Sequence, residues 1–263
     1  MANFHVLAGS DDRVDHPTIR KIGLSDLVTS LREGWDDFIQ KPSHYVFLCL
    51  IYPIVGLVLA MWTSGYNALP LLYPLMSGFA LIGPFAAIGL YEISRRREAG
   101  LDTSWRHAFE VLRSPAIPSI LVVGVGLFVL FYAWLATAET LYQSLFGISA
   151  PSSLWGFLTQ VFTTSQGWAL IFWGNLLGFV FALVVLCTTV IAFPLLIDRD
   201  DGVTSAVMTS WRAVVANPGP MLLWGIIVAV GLVLGSIPLF IGLAIVMPVL
   251  GHATWHLYKK VVA

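Results

Sequence analysis

WALIFWGNLLGFVFALVVLCTTVIAFPLLI, residues 168–197, runs for thirty residues without a charged side chain. A helix rising 1.5 Å per residue crosses the roughly 30 Å hydrocarbon layer with about 20 apolar residues. This stretch is long enough, and too long for an ordinary core helix. Lipid offers the backbone no hydrogen-bonding partner, so the stretch must be helical. Five further runs of the same kind flank it: Tyr45–Trp62, Leu69–Tyr91, Ile117–Thr137, Met221–Ser236 and Leu239–His256. Their length and lack of dyad alternation exclude a β-barrel.

Composition agrees. Of 263 residues 57% are hydrophobic and only 11% charged, against roughly 25% charged in soluble domains. Mean hydropathy is +0.82. A disordered chain, a nucleic-acid binder and a disulfide scaffold are excluded. The two cysteines, Cys49 and Cys187, sit inside apolar runs and read as inert packing residues. No apolar h-region precedes His44, so no cleavable signal peptide is expected.

The few charges have an address. All 14 Lys and Arg lie in the N-terminal segment, the loop after span 2, the loop after span 4 or the C-terminus. The loops at 63–68, 138–167 and 236–238 hold none, and Glu139 is the single acid among them. Positive residues mark the cytoplasmic side, which predicts both termini inside.

A short amphipathic stretch precedes each odd-numbered span. The first carries Leu24, Leu27, Val28, Leu31, Trp35, Phe38 and Ile39; the second Trp105, Ala108, Phe109 and Leu112; the third Val203, Ala206, Val207, Trp211, Val214 and Val215. Each stops before a proline: Pro42, Pro115 and Pro218. Thr29-Ser30-Leu31-Arg32 is echoed at Thr103-Ser104-Trp105-Arg106 and Thr209-Ser210-Trp211-Arg212. The spacing predicts an all-α membrane protein. A polar mobile tail at 1–22 precedes one six-helix domain at 23–263. That domain reads as three parallel repeats, near 23–91, 100–197 and 202–260, each an interfacial helix followed by two spans. Two spans per unit give all three units one orientation, unlike the inverted repeats of many transporters. Gly174 with Gly178, and Gly231 with Gly235, are positions where helices can approach closely. In the outer loop Leu154, Phe157, Leu158, Val161 and Phe162 predict a further interfacial or re-entrant helix.

Candidate sites are few. His252 and His256 share one face of the last span, a spacing that suits a metal or a haem edge, with Glu92 and Asp198 as further ligands; polar packing between helix ends is the competing reading. Arg32, Arg106 and Arg212 suit phospholipid headgroups or other anions, against simple snorkelling beside the anchors Trp35, Trp105 and Trp211. Asp198-Arg199-Asp200-Asp201-Gly202 reads as an acidic turn, lacking the later ligands of a calcium loop. Asn175, Thr188 and Thr189 are the polar groups within span 4. No nucleotide, hydrolase or zinc-protease motif is present and no catalytic residue is assigned.

The segment Phe193-Pro-Leu-Leu-Ile-Asp-Arg-Asp, with Ser210-Trp-Arg-Ala, Asn217-Pro-Gly-Pro and the ending Pro248-Val-Leu-Gly-His-Ala-Thr-Trp-His-Leu-Tyr-Lys, resembles the bacterial integral-membrane family called domain of unknown function 2189. The resemblance extends over most of the chain after the tail. It implies a bacterial inner-membrane location and no established activity. Some members carry the label of a possible cytochrome c oxidase subunit I. Such catalytic subunits have about twelve spans and six metal-ligating histidines within them; here only His252 and His256 lie in a span, so a catalytic oxidase role for this chain alone is rejected.

The sequence therefore points to a non-enzymatic inner-membrane bundle that contacts membrane lipids or other membrane proteins, with no predicted cofactor and no nucleic acid. A haem- or metal-binding redox subunit using His252 and His256, and a small-solute transporter, stay open as alternatives.

Overall fold

A computed structural model of the chain describes residues 17–40, 69–81, 83–148, 151, 153–199, 201–238 and 240–263. Every regular element among them is helical. In chain order they are α1 (Leu24–Gln40), α2 (Leu69–Leu81), α3 (Gly83–Ala86), α4 (Ile88–Glu98), a 3₁₀ segment (Trp105–Arg113), α5 (Ile117–Phe146), α6 (Leu154–Thr163), α7 (Ser165–Thr189), α8 (Ala192–Arg199), α9 (Gly202–Ala216), α10 (Pro218–Ser236) and α11 (Leu243–Val261).

Four stretches among the described residues are long and apolar enough to cross a membrane: Tyr73–Glu98, Ile117–Phe146, Ser165–Arg199 and Pro218–Ser236. They correspond to predicted spans 2 to 5. Predicted span 1, residues 45–62, lies outside the described residues. Predicted span 6 falls on α11, which is not among the four. Its second half brings in His252, His256, Lys259 and Lys260, and this dilutes its apolar character.

Local chemistry sets the boundaries. α5 continues to Phe146, past the expected end at Thr137, because no proline or glycine follows Thr137 until Gly147 at φ +77°. Glu139 is thus helical and accepts from Gln143 Nε2 at 3.1 Å. The predicted outer helix is α6. Its N-cap Ser153 accepts from the Gly156 amide at 3.1 Å, and Thr164 caps α7 through the Gly167 amide at 3.0 Å. Pro218 opens α10, where its missing N–H costs no hydrogen bond. Gly202, at φ +76°, ends the acidic turn before α9. The middle stretch of the three predicted interfacial ones forms a 3₁₀ segment and is shorter than α1 or α9.

Residues 17–22, expected in the mobile tail, are docked. The Arg20 amide donates to the Val261 carbonyl at 2.8 Å, and the Ala263 amide to the Thr18 carbonyl at 3.1 Å. Asn217, buried at the α9–α10 joint, accepts from the Ile22 amide at 2.9 Å and donates to the Arg20 carbonyl at 3.0 Å. Composition marks this segment as polar, but its backbone groups find partners on distant parts of the chain.

Two regions share the interior. α2, α5 and α7 pack side by side, with Trp134 buried between them and donating through Nε1 to the Pro74 carbonyl at 2.9 Å. The second region gathers α1, α4, α8, α9 and α11, with Phe193, Leu195, Leu196, Trp255, Leu257 and Tyr258 fully enclosed.

Candidate functional site

The most extensive helix pair is α1 against α11. α1 has two unlike faces. Leu27, Ser30, Gly34, Asp37 and Phe38 are buried, whereas Leu24, Val28, Trp35 and Ile39 are exposed. Ser30 and Gly34, one turn apart, let the two backbones meet. A Cβ at Gly34 would sit 2.5 Å from the Ala253 amide nitrogen and 2.7 Å from the Val249 carbonyl oxygen. Only a glycine fits that approach.

One turn beyond Gly34, Asp37 reaches into the junction of α1, α4 and α11. Its carboxylate meets Arg97 Nη1 at 2.6 Å, Ser94 Oγ at 3.2 Å and His256 Nε2 at 3.0 Å. Ser94 Oγ also lies 2.7 Å from His252 Nδ1. A hydroxyl has one proton. With that proton directed to Asp37, His252 must donate through Nδ1 to Ser94. The result is a hydrogen-bonded chain from His252 through Ser94 and Asp37 to His256. Burial by itself would raise the Asp37 carboxyl, but the donors His256 and Arg97 outweigh it and hold the group down at about 2.

Around this centre lies a ring of ion pairs. Lys260 meets Glu33, Lys259 meets Asp198 at 3.3 Å and Glu98 at 3.8 Å, and Tyr258 OH donates to Asp198 at 2.7 Å. Arg95 grips Glu92 with two donors at 2.7 and 2.8 Å. Arg96 reaches the 3₁₀ segment, donating to Glu110 and to the Asp102 carbonyl, both at 2.8 Å. His107 there sits between Glu110 at 2.6 Å and Asp102 at 2.8 Å. These two carboxylates raise the His107 pKa.

The expected ligand set is thus divided. His252 and His256 do converge, but on Asp37, a residue outside the expected ligand set. Glu92 and Asp198 are engaged by Arg95 and by Tyr258 with Lys259. The carboxylate between the histidines already holds a guanidinium. Among the described residues no group of three or more His, Cys, Asp or Glu side chains is placed to hold a metal ion. Asp37 was findable in principle. It shares with Ser30 and Gly34 the face of α1 opposite the apolar stripe, and a polar face on a membrane-protein helix is often the packed one.

The remaining candidates lie elsewhere. Arg32, Arg106 and Arg212 are exposed, and so are Trp35 and Trp211; the Trp105 side chain lies outside the described residues. Asn175 accepts from Tyr73 OH at 2.9 Å and donates to the Ile171 carbonyl at 2.7 Å, which makes it a link between α2 and α7. Gly178 faces Trp134 of α5, and Gly231 and Gly235 face α11, as close-approach positions should. An open groove of about 470 Å³ is lined by Ala136, Thr137, Thr140, Leu141, Ser144 and Leu177. The hydroxyls of Thr137 and Thr140 bond to carbonyls of their own helix, each at 2.7 Å.

No curated protein and no solved structure matches the chain. A family model described as a predicted integral membrane protein matches residues 71–198. The match runs from α2 to the end of α8. It includes Phe193–Asp198 of the motifs quoted above and ends before those at 210–220 and 248–259. Ser94, Arg97, Glu98 and Asp198 fall within it, and Asp37, His252 and His256 beyond it. Over residues 71–198 the chain is similar to the integral-membrane family called domain of unknown function 2189.

Proposed function

We propose that the chain is a non-enzymatic, multi-pass protein of the bacterial inner membrane. In this reading six spans form a bundle in three parallel repeats, both termini are cytoplasmic, and the charge-bearing end contacts lipid or a membrane-protein partner. One observation carries it. The charged side chains pair across the four segments that hold all the Lys and Arg: Asp37 with Arg97, Glu33 with Lys260, and Glu98 and Asp198 with Lys259. Among the described residues these pairs tie the charge-bearing end of the bundle together. The amphipathic, interfacial character of α1 and α9 is supported by their exposed apolar residues. The repeat is supported for its outer copies, where Ser30 and Ser210 are both fully buried and Arg32 and Arg212 both exposed.

Orientation is tested by cysteine labelling in a background carrying Cys49→Ala and Cys187→Ala. Ser25→Cys should react only in inverted vesicles and Ile148→Cys only in intact spheroplasts. The reverse pattern would overturn the topology. Function is tested by purification in mild detergent with mass spectrometry of bound molecules. Lipid or a stoichiometric membrane protein is the expected result. A Soret band or bound metal lost in His252→Ala would replace this reading with the redox alternative. Solute flux in proteoliposomes abolished by Asn175→Ala would replace it with the transporter.

A further inference from the structure

Most of the cations at the charge-bearing end have partners within the protein. Arg95, Arg96, Arg97, Lys259 and Lys260 each meet a carboxylate. Arg32 and Arg212, like Arg20 and Arg113, are not among them. Both are exposed, and among the described residues neither meets an acidic group.

Their settings are alike. On α1, Leu24, Val28, Trp35 and Ile39 form an exposed stripe at helical spacing, with Val28 66% exposed. Arg32 occupies the position of that stripe between Val28 and Trp35. On α9, Met208, Trp211 and Val215 form a second stripe, with Val215 72% exposed, and Arg212 lies within it. In the 3₁₀ segment, with three residues per turn, Arg106 stands in one column with the exposed Phe109 and Leu112.

An exposed apolar stripe favours the acyl boundary of a bilayer. A guanidinium set in such a stripe has a long aliphatic stem to lay along it and a fork that matches phosphate with two donors. The ring of internal ion pairs shows that carboxylates are available at this end, yet among the described residues none is directed at Arg32 or Arg212. The charge complement must then come from outside, at the depth of the stripe. We infer that Arg32 and Arg212, each set in an exposed apolar stripe of α1 and α9, bind the phosphate of an anionic phospholipid headgroup, with Arg106 at the matched position of the 3₁₀ segment. The inference rests on the reading above that this end of the bundle meets a membrane surface, and it names the ligand class there.

The test uses the full chain, purified in mild detergent, with phosphatidylglycerol and phosphatidylcholine added in equal amounts and retention read by native mass spectrometry. The wild type should retain phosphatidylglycerol preferentially. An interfacial basic residue favours anionic lipid about five-fold, so Arg32→Gln with Arg212→Gln should lower the preference by about 25-fold. The thermal midpoint should not move, because neither side chain makes an internal ion pair. Raised salt should weaken the wild-type preference in the same way, a measurement that does not depend on the variant folding. Equal retention of both lipids by the wild type overturns the inference, as does an undiminished preference in the double variant. Stripping of the lipid by excess inorganic phosphate overturns the choice of a lipid ligand in favour of a general anion site. A wild type that does not fractionate with membranes fails the broader reading, and this is distinguishable from a membrane-inserted protein without lipid preference.

Discussion

α10 and α11 are consecutive helices of 19 residues each, and they behave in opposite ways. α10 is wholly apolar, yet only 17% of its spanning window is buried inside the protein. α11 carries two histidines and two lysines, and most of it is enclosed by α1, α4 and α10. In a soluble protein the apolar helix would be the buried one. Here the surrounding solvent is lipid, so apolar side chains gain little from leaving the surface. Close backbone approach and polar pairing decide what is packed. The same inversion operates within α1, where the small and polar face is buried and the apolar face exposed.

The sharpest way to break this contrast is to separate α1 from α11. Gly34→Val places side-chain atoms where the Ala253 backbone stands and should cost about 3 kcal/mol, at the upper end of overpacking penalties. Thermal unfolding in detergent would measure it, together with faster proteolysis at the N-terminal segment. The counterpart is Gly126→Ala on α5, where a new Cβ meets nothing within 4 Å; its midpoint should match the wild type.

Removing the charge from Asp37 should rank second. Asp37→Asn leaves Arg97 without its carboxylate and weakens the bonds from Ser94 and His256, a loss of about 2 kcal/mol. The pH dependence has a definite sign. The folded carboxyl titrates at about 2 and the ordinary value is 3.8. Its contribution is therefore complete above about pH 4 and lost as pH falls through 2. Wild type and Asp37→Asn should converge in stability across that interval. Convergence near neutral pH would show that another group controls the contact.

A smaller effect is expected at His107, which is exposed. Its pKa is raised by Glu110 and Asp102, so its contribution is present below its ordinary value of 6.5 and fades as pH rises through the folded value. His107→Gln should narrow the stability difference between mildly acidic and alkaline buffer, and the imidazole titration followed by NMR should shift upward in the wild type. The smallest effect should come from α10. Leu234→Ala, at a position 59% exposed to the lipid side, should change the midpoint by less than about 0.5 kcal/mol. A loss comparable with that of Gly34→Val would mean that this face is packed against something, and the contrast between α10 and α11 would fail.

Much of the framework could be read directly from residues. Long uncharged apolar runs have one structural solution in lipid, which is why predicted spans 2 to 5 reappear as helices. The outer helix α6 was legible from five apolar residues at helical spacing. The site was legible only by half. His252 and His256 stand on one helix, so their spacing declares a shared face. Asp37 lies more than 200 residues away, and no periodicity links it to them. Glu92 and Asp198, the further candidate ligands, are held by neighbouring cations instead. The docking of residues 17–22 was hidden for a similar reason. Backbone hydrogen bonds to distant segments leave no mark on composition.

What the sequence by itself determined is the set of hydrophobic lengths and the confinement of 28 of its 29 charges to four segments. Both follow from the cost of placing charge in hydrocarbon, a local property of each residue. What only the tertiary structure decided is which face of each helix is packed and which carboxylate meets which cation. Those choices depend on backbones that approach within van der Waals contact at Gly34 and on hydrogen bonds a few ångströms long. Neither has a period in sequence.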